Sequence, residues 1–319
     1  MLLRKSYAGL RGTRGGGNLG GVTGGITVFF PLLLVLLVSC APGQQPPPEP
    51  GTFIDALGRS FTLEEHPRRV VSLTPAITEI LFAIGAGDRV VGVTRYCDYP
   101  PEARSRAPVG GFSGITVSVE QIRALNPDLV ILSADMHARI VLLLDNLGIP
   151  SFAVEPRTFS EVFAVIALLG ELCAVASNAE NVISEMKARI ASVEERARDR
   201  PRPAVFWVLS EEPLMTAGGE TFISEAITLA GGRNIFADLR EQWPLVSPEQ
   251  LLVRRPDWVL AGSDMAGTGD DLVLRNPLWQ NFSAIREGRF AFVDGDLLYR
   301  YGPRLADAVA MISEIIHPD

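Results

Sequence analysis

Two glutamates occupy the same short phrase of sequence. Ser118-Val119-Glu120-Gln121-Ile122 runs on to Asn126-Pro127-Asp128-Leu129-Val130-Ile131, and Ser247-Pro248-Glu249-Gln250-Leu251 runs on to Arg255-Pro256-Asp257-Trp258-Val259-Leu260, so the copies align without a gap. A carboxylate in the first turn of a helix is a rigid acceptor for a charge-assisted pair with a guanidinium. The same carboxylate also stabilises the positive end of its own helix, and the residues alone leave both readings open. Other chemistry is sparse. The three histidines, His66, His137 and His317, lie far apart, and no H-x-x-x-H or C-x-x-C spacing exists, so no zinc site is expected. Ser113 or Ser133 with His137 and Asp135 would supply a hydrolase's nucleophile, base and orienting acid. No G-x-S-x-G elbow surrounds either serine. The expectation is a protein with no catalytic residues, no metal site and no cofactor of its own.

The elements that position the two glutamates are readable. Each Ser is a helix N-cap, the Gln three residues on completes a capping box, and Pro248 sits where a missing N–H costs nothing. Pro127 and Pro256 end helices of roughly two turns, and an apolar run follows as a buried strand. The same alternation runs through the chain. Phe53 to Phe61 reads as a hairpin turning at Gly58-Arg59. Val70-Val71-Ser72-Leu73 is a parallel-type strand feeding a helix capped by Thr74, whose Ile77, Ile80, Leu81 and Ile84 face a core. Val90 to Val93, Leu129 to Leu132 and Phe152 to Val154 are further strands, and Ile140 to Leu147 is a helix. Ser160 to Arg198 has no proline and keeps helical spacing, so it reads as one long helix or two near-continuous ones, with Gly170 and Ser177-Asn178 as weak points. The second half repeats the first: strands Ala204 to Leu209, Trp258 to Ala261 and Phe290 to Val293, and helices Phe222 to Ala230 and Leu305 to Ile316. The expected fold is α/β: two Rossmann-like α/β lobes bridged by a long α-helix, with a ligand cleft between the lobes.

The chain has 319 residues, 47% of them hydrophobic and 21% charged, with a net charge of −8. That is globular composition, and the acidic balance argues against nucleic acid as a partner. Arg4, Lys5, Arg11 and Arg14 precede an apolar run of 13 residues, Ile26 to Val38, which is too short to span a membrane comfortably. Leu37-Val38-Ser39-Cys40 follows, so the segment reads as an export signal ending in a bacterial lipobox, with Cys40 as the lipidated first mature residue. A Pro-rich stretch then forms a semi-rigid tether. The expected divisions are 1–40 signal, 41–52 tether, 53–158 first lobe, 159–200 bridging helix and 201–319 second lobe. Cys97 and Cys173 are the remaining cysteines, and their spacing does not decide whether they pair.

Arg69-Val70-Val71-Ser72-Leu73-Thr74-Pro75, Thr78-Glu79, Gly85-Ala86-Gly87-Asp88-Arg89-Val90-Val91-Gly92-Val93 and Asp98-Tyr99-Pro100 resemble the periplasmic cobalamin-binding protein family. So do Asn126-Pro127-Asp128-Leu129-Val130 and Gly231-Gly232-Arg233-Asn234-Ile235-Phe236, and the resemblance runs from about Phe53 to the C-terminus. Such proteins are monomeric solute-binding components of ATP-driven importers, exported and facing the periplasm or cell exterior. The wider superfamily also takes ferric siderophores and haem. The resemblance implies that Glu120 and Glu249 dock into arginine pockets of a permease dimer carrying ATPase subunits. It implies that Tyr96, Phe112 and Trp243 lie against a corrinoid, and that Asp296 and Arg300 make polar contacts to it. In Arg300-Tyr301-Gly302-Pro303-Arg304 the first arginine would face the ligand and the Pro-Arg pair would open the last helix. Basic cleft residues would suit a ligand with phosphate or carboxylate groups. Two departures stand out: Ser133 and Leu209 fall where the cobalamin binders place aromatic rings, which keeps a ferric siderophore as the alternative. Haem binders use a tyrosine ligand near the position of Phe112, which cannot coordinate iron.

Overall fold

The computed structural model describes residues 51–62, 65–263 and 279–318. The segment expected to be an export signal, Cys40 and all of the expected tether but its last two residues lie outside them. The described chain opens with an antiparallel hairpin, β1 (Thr52–Ile54) and β2 (Ser60–Thr62), turned at Gly58 with φ +74°. A non-glycine residue there would be strained, which explains the Gly58-Arg59 signal.

The first lobe is a five-stranded parallel sheet. Its strands are β3 (Val70–Ser72), β4 (Val90–Val93), β5 (Ala107–Pro108), β6 (Leu129–Ser133) and β7 (Ser151–Val154), in the order β5-β4-β3-β6-β7. Helices α1 (Pro75–Ala83), α2 (Val119–Ala124) and α3 (Ala138–Asn146) connect them. All five residues of β6 are buried, as a central strand covered on both faces requires.

Beyond the bridging segment the second lobe repeats the scheme. It contains β8 (Ala204–Val208), a two-residue pair β9 (Ser210–Glu211) and β10 (Leu214–Met215), β11 (Arg233–Asn234), β12 (Trp258–Gly262) and β13 (Phe290–Val293). The parallel order is β11-β8-β12-β13, with α6 (Phe222–Leu229), α7 (Pro248–Arg254) and a closing helix Leu305–Ile316 around it.

The repeated phrase plays one structural part in both lobes. Asp128 accepts hydrogen bonds from the main-chain N–H groups of Arg68 and Arg69 at the entry to β3, and Asp257 accepts one from Ala204 at the first residue of β8. Each aspartate thus pins the start of its own strand to that of the neighbouring strand. Asn126 and Arg255, equivalent in the repeat, both close their helices in the left-handed region, at φ +44° and +48°.

The bridging segment differs from its expected form. It is two helices, α4 (Phe159–Leu172) and α5 (Ala176–Ala197), broken at Cys173-Ala174-Val175, where Ala174 takes φ +51°. The helices are not near-continuous. A Cβ built on Gly170 would lie 2.5 Å from the Cβ of Ala179, whereas residues nine apart in a straight helix are separated by about 13 Å along the axis. The chain therefore folds back on itself, and Gly170 is the point of closest approach rather than the break. Gly170→Val forces the helices apart, and urea denaturation should show a loss of about 1–3 kcal/mol.

One apolar core runs along the bridging side of both lobes. It joins Ile77 and Ile80 of α1, Ile166 and Leu169 of α4, Met186 and Ile190 of α5, Ile227 of α6 and Ile312 of the closing helix. Each lobe has a separate core on its other face. Because close-packed side chains transmit displacement, a shared core makes relative motion of the lobes stiff. Cys97 and Cys173 are separate buried thiols, and burial pushes the Cys173 thiol up to about 11.

Candidate ligand cleft and docking residues

The two glutamates are equivalently placed, but the capping box expected of both helices is complete only at α7; at α2 the Gln121 side chain does not return to the Ser118 N–H. At α2 the Ser118 hydroxyl oxygen accepts from the Gln121 N–H at 3.2 Å and its O–H donates to Glu120 Oε2 at 3.0 Å. At α7 the Ser247 oxygen accepts from the Gln250 N–H, and Gln250 Oε1 accepts from the Ser247 N–H at 2.8 Å, a complete capping box. Both glutamates are fully exposed. The Glu120 carboxyl is held below its ordinary value by its own backbone N–H and then by Ser118; that of Glu249 by Ser247 and then its own N–H. Each is a fixed negative charge two residues after an N-cap, on the helix that feeds the strand beside its lobe's first strand.

The aromatic residues stand on loops at the carboxyl ends of parallel strands, where open α/β sheets bind ligands. Tyr96 follows β4 and Phe112 follows β5, and their rings meet edge to face with centroids 6.0 Å apart. Trp243, in the second lobe, packs edge-on against Phe222 at 6.5 Å. All three leave much of their surface open: Tyr96 58%, Phe112 40% and Trp243 37%. Exposed ring clusters of this kind mark binding surfaces. An open cavity of about 680 Å³ is lined by Arg157 and Glu161 from one side and Thr221, Glu225, Arg240 and Gln242 from the other, and none of Tyr96, Phe112, Trp243, Asp296 and Arg300 lines it.

His137 explains how the Phe112 loop is held. The imidazole is buried; Nδ1 accepts from the Ser133 N–H at 3.2 Å, so Nε2 carries the proton and donates to the Phe112 carbonyl at 3.1 Å. Gly110, at φ +118°, allows the tight turn beneath Phe112, since a Cβ there would meet the Thr116 carbonyl oxygen at 2.3 Å. Neither serine of the hydrolase arrangement reaches the imidazole. Ser133 Oγ donates to Glu155 Oε2 at 2.6 Å, and Ser113 Oγ lies against Thr116 Oγ1 at 3.2 Å. A nucleophile needs a hydrogen bond to its base, and here both ring nitrogens are taken by main chain.

Burial holds the His137 pKa below its ordinary 6.5. The neutral form is favoured only in the folded chain, so its contribution is full above 6.5 and is lost as pH falls toward the depressed value. His317 is shifted the same way by burial. The urea midpoint should therefore drop on acidification through this window, with a shallower slope in His137→Asn.

Asp296 and Arg300 are brought together, but with each other. Arg300 Nη2 lies 2.8 Å from Asp296 Oδ1, and its Nη1 donates to Asp98 Oδ1 at 2.7 Å and Glu79 Oε1 at 3.1 Å. Arg304 donates to the same Glu79, Nε to Oε2 at 2.8 Å and Nη2 to Oε1 at 2.6 Å, and its guanidinium lies 4.0 Å over the Tyr99 ring. Arg300 is thus committed to three carboxylates, while Asp98 and Asp296 remain half-exposed. Burial pushes the Asp98 carboxyl up, but the hydrogen bond and charge of Arg300 outweigh it and leave it below its ordinary value. Glu79, with 2% of its side chain exposed, joins the site through both arginines, a place not assigned to it from the sequence, where it figures only within the family resemblance. Its signal was an acid within a helix otherwise spaced for burial. Among the described residues no group of three or more His, Cys, Asp or Glu is placed to hold a metal ion.

Two parallel α/β lobes joined by a helical segment, with aromatic rings open at the strand ends, are the architecture of a two-lobed binding protein. The chain belongs to the periplasmic binding protein family, whose profile matches residues 70–297. It is 32% identical over 278 residues, 85% of this chain and 86% of the relative, to an uncharacterised ABC transporter substrate-binding lipoprotein, YvrC, of Bacillus subtilis (strain 168). Among solved structures it is similar to the periplasmic vitamin B12 binding protein BtuF of Vibrio cholerae, at 30% identity and TM-score 0.68 over 79% of this chain and 97% of that one. It is also similar to the periplasmic heme-binding protein RhuT from Roseiflexus sp. RS-1, at 28% identity and TM-score 0.68 over 78% of this chain and 97% of that one.

Proposed function

We propose that this protein is a lipid-anchored solute-binding component of an ABC importer that takes a corrinoid between its lobes and delivers it to a permease dimer with ATPase subunits. The observation that carries this reading is the set of open rings, Tyr96 against Phe112 on one lobe and Trp243 on the other. Such surfaces suit a large, partly apolar macrocycle. The likeness to a vitamin B12 binding protein over nearly its whole length supports it. Phe112 has no atom to ligate iron, which weighs against haem. The ion pairs of Arg300 change the expected polar chemistry: with that charge neutralised, the half-exposed Asp98 and Asp296 offer hydrogen-bond acceptors. A ligand rich in amide N–H groups meets these better than one held by carboxylates.

A ferric siderophore is the second reading. Ser133 is buried and bonded to Glu155, and Leu209 packs against the core. Two positions of an aromatic cradle are therefore without rings. For anchoring, Cys40 would carry the lipid and the Pro-rich tether would hold the lobes off the membrane. The description of the Bacillus subtilis relative as a lipoprotein supports this.

Native mass spectrometry of the protein mixed with cyanocobalamin, haemin and a ferric siderophore in competition tests the ligand class. One cyanocobalamin per chain is the expected adduct. A siderophore adduct in its place would select the second reading.

A further inference from the structure

We propose that Glu79 is a positioning residue for the cleft: its buried carboxylate fixes the separation of the two lobes and the placement of the loop that carries Tyr96. Glu79 belongs to α1 of the first lobe, and its partners Arg300 and Arg304 belong to the second. The three ionic contacts between them span 221 and 225 residues of sequence. Arg304 grips both oxygens in a fork, the geometry that resists sliding as well as separation. The main chain follows: a Cβ built on Gly302 would lie 3.2 Å from Glu79 Oε2 and 3.4 Å from its Cβ, so the loop 300–304 rests directly on α1.

The two arginines then reach past Glu79 to a single loop of the first lobe. Arg300 donates to Asp98 at 2.7 Å, and Arg304 lies 4.0 Å over the ring of Tyr99. Asp98 and Tyr99 follow Tyr96 in that loop. The second lobe thus holds the Tyr96 loop through side chains that Glu79 orients. A carboxylate this deeply buried is costly unless paired, so both arginines are held in place by the need to satisfy it. On top of the shared apolar core, this one group fixes the lobe separation at the cleft and the aromatic surface, without help from a ligand.

The role of the cleft rests on the function proposed above, but the test of Glu79 needs no ligand. Spin labels are placed at Leu142→Cys and Leu252→Cys, exposed positions on the two lobes, in the full chain carrying Cys40→Ser. Cys97 and Cys173 are buried and stay unlabelled. Electron–electron distance measurements should show a longer, broader distribution in Glu79→Gln than in the parent. Arg304→Met leaves Glu79 paired with Arg300, so it folds, and it should show a smaller shift in the same direction. Cyanocobalamin affinity should fall about tenfold in Glu79→Gln, which corresponds to about 1.4 kcal/mol. An unchanged distance distribution in Arg304→Met, and in Glu79→Gln where that variant is folded by circular dichroism, overturns the proposal. Failure of the parent to bind cyanocobalamin overturns the ligand reading and leaves the distance result to decide on Glu79.

Discussion

Replacing both Glu120 and Glu249 with alanine abolishes stimulation of ATP hydrolysis by the cognate permease–ATPase complex and leaves ligand affinity at the parental value. Each glutamate is fully exposed, sits two residues after a serine N-cap and heads the helix that feeds an equivalent strand of its lobe. A twofold membrane partner needs one such knob per lobe. Neither carboxylate has a cationic partner among the described residues, so each is free to pair with a guanidinium supplied by another chain. The helices themselves should tolerate the change: N-caps contribute about 1 kcal/mol and are untouched by it. Each single variant should retain part of the stimulation, because interfacial charge pairs add in steps. Full stimulation by the double variant would remove the docking role and leave helix-end stabilisation as the only function of the repeated acids.

The second large effect concerns the rings. Trp243→Ala should weaken ligand binding by about thirtyfold or more, and Tyr96→Ala with Phe112→Ala by about three orders of magnitude together, since buried aromatic anchors each contribute about 2 kcal/mol or more to an interface. Thermal stability should change little, because none of the three rings belongs to a buried core and each keeps more than a third of its surface open. That combination, a large loss of affinity with a small loss of stability, separates a binding surface from loop packing. Calorimetric affinities set beside thermal melts of the same variants read both at once. Melts that fall as steeply as the affinities would assign the rings to packing.

How much of this was legible in the sequence depended on the range of the interaction. The repeated capped helix and its strand depend on residues within about twelve positions, and the structure places Ser118 and Ser247 in matching capping roles; the matching roles of Asp128 and Asp257 reach more than fifty residues away and were not legible. The fold-back of α4 on α5 was not legible. Its break, Cys173-Ala174-Val175, contains no glycine or proline, and the contact between Gly170 and Ala179 that accompanies it is tertiary. From sequence Gly170 reads as a weak point of the helix and not as a contact. Strands such as Arg233–Asn234 and Leu214–Met215 are two residues long and carry no periodicity to detect. Arg300 shows the same limit within the site. Its type and neighbours suggested a charge offered to a ligand, and three carboxylates, two of them in the other lobe, neutralise it. Glu79, the acid that binds both arginines, looked like a helix residue until its partners were known.

A calorimetric titration of the protein with cyanocobalamin decides whether the cleft takes a corrinoid. Saturable binding with one ligand per chain and a sub-micromolar dissociation constant is the predicted result, and it should vanish when Tyr96, Phe112 and Trp243 are replaced together. Absence of heat with cyanocobalamin, alongside saturable binding of a ferric siderophore by the same preparation, would contradict the corrinoid assignment. It would also identify Ser133 and Leu209, where the rings are missing, as the residues that set the ligand class.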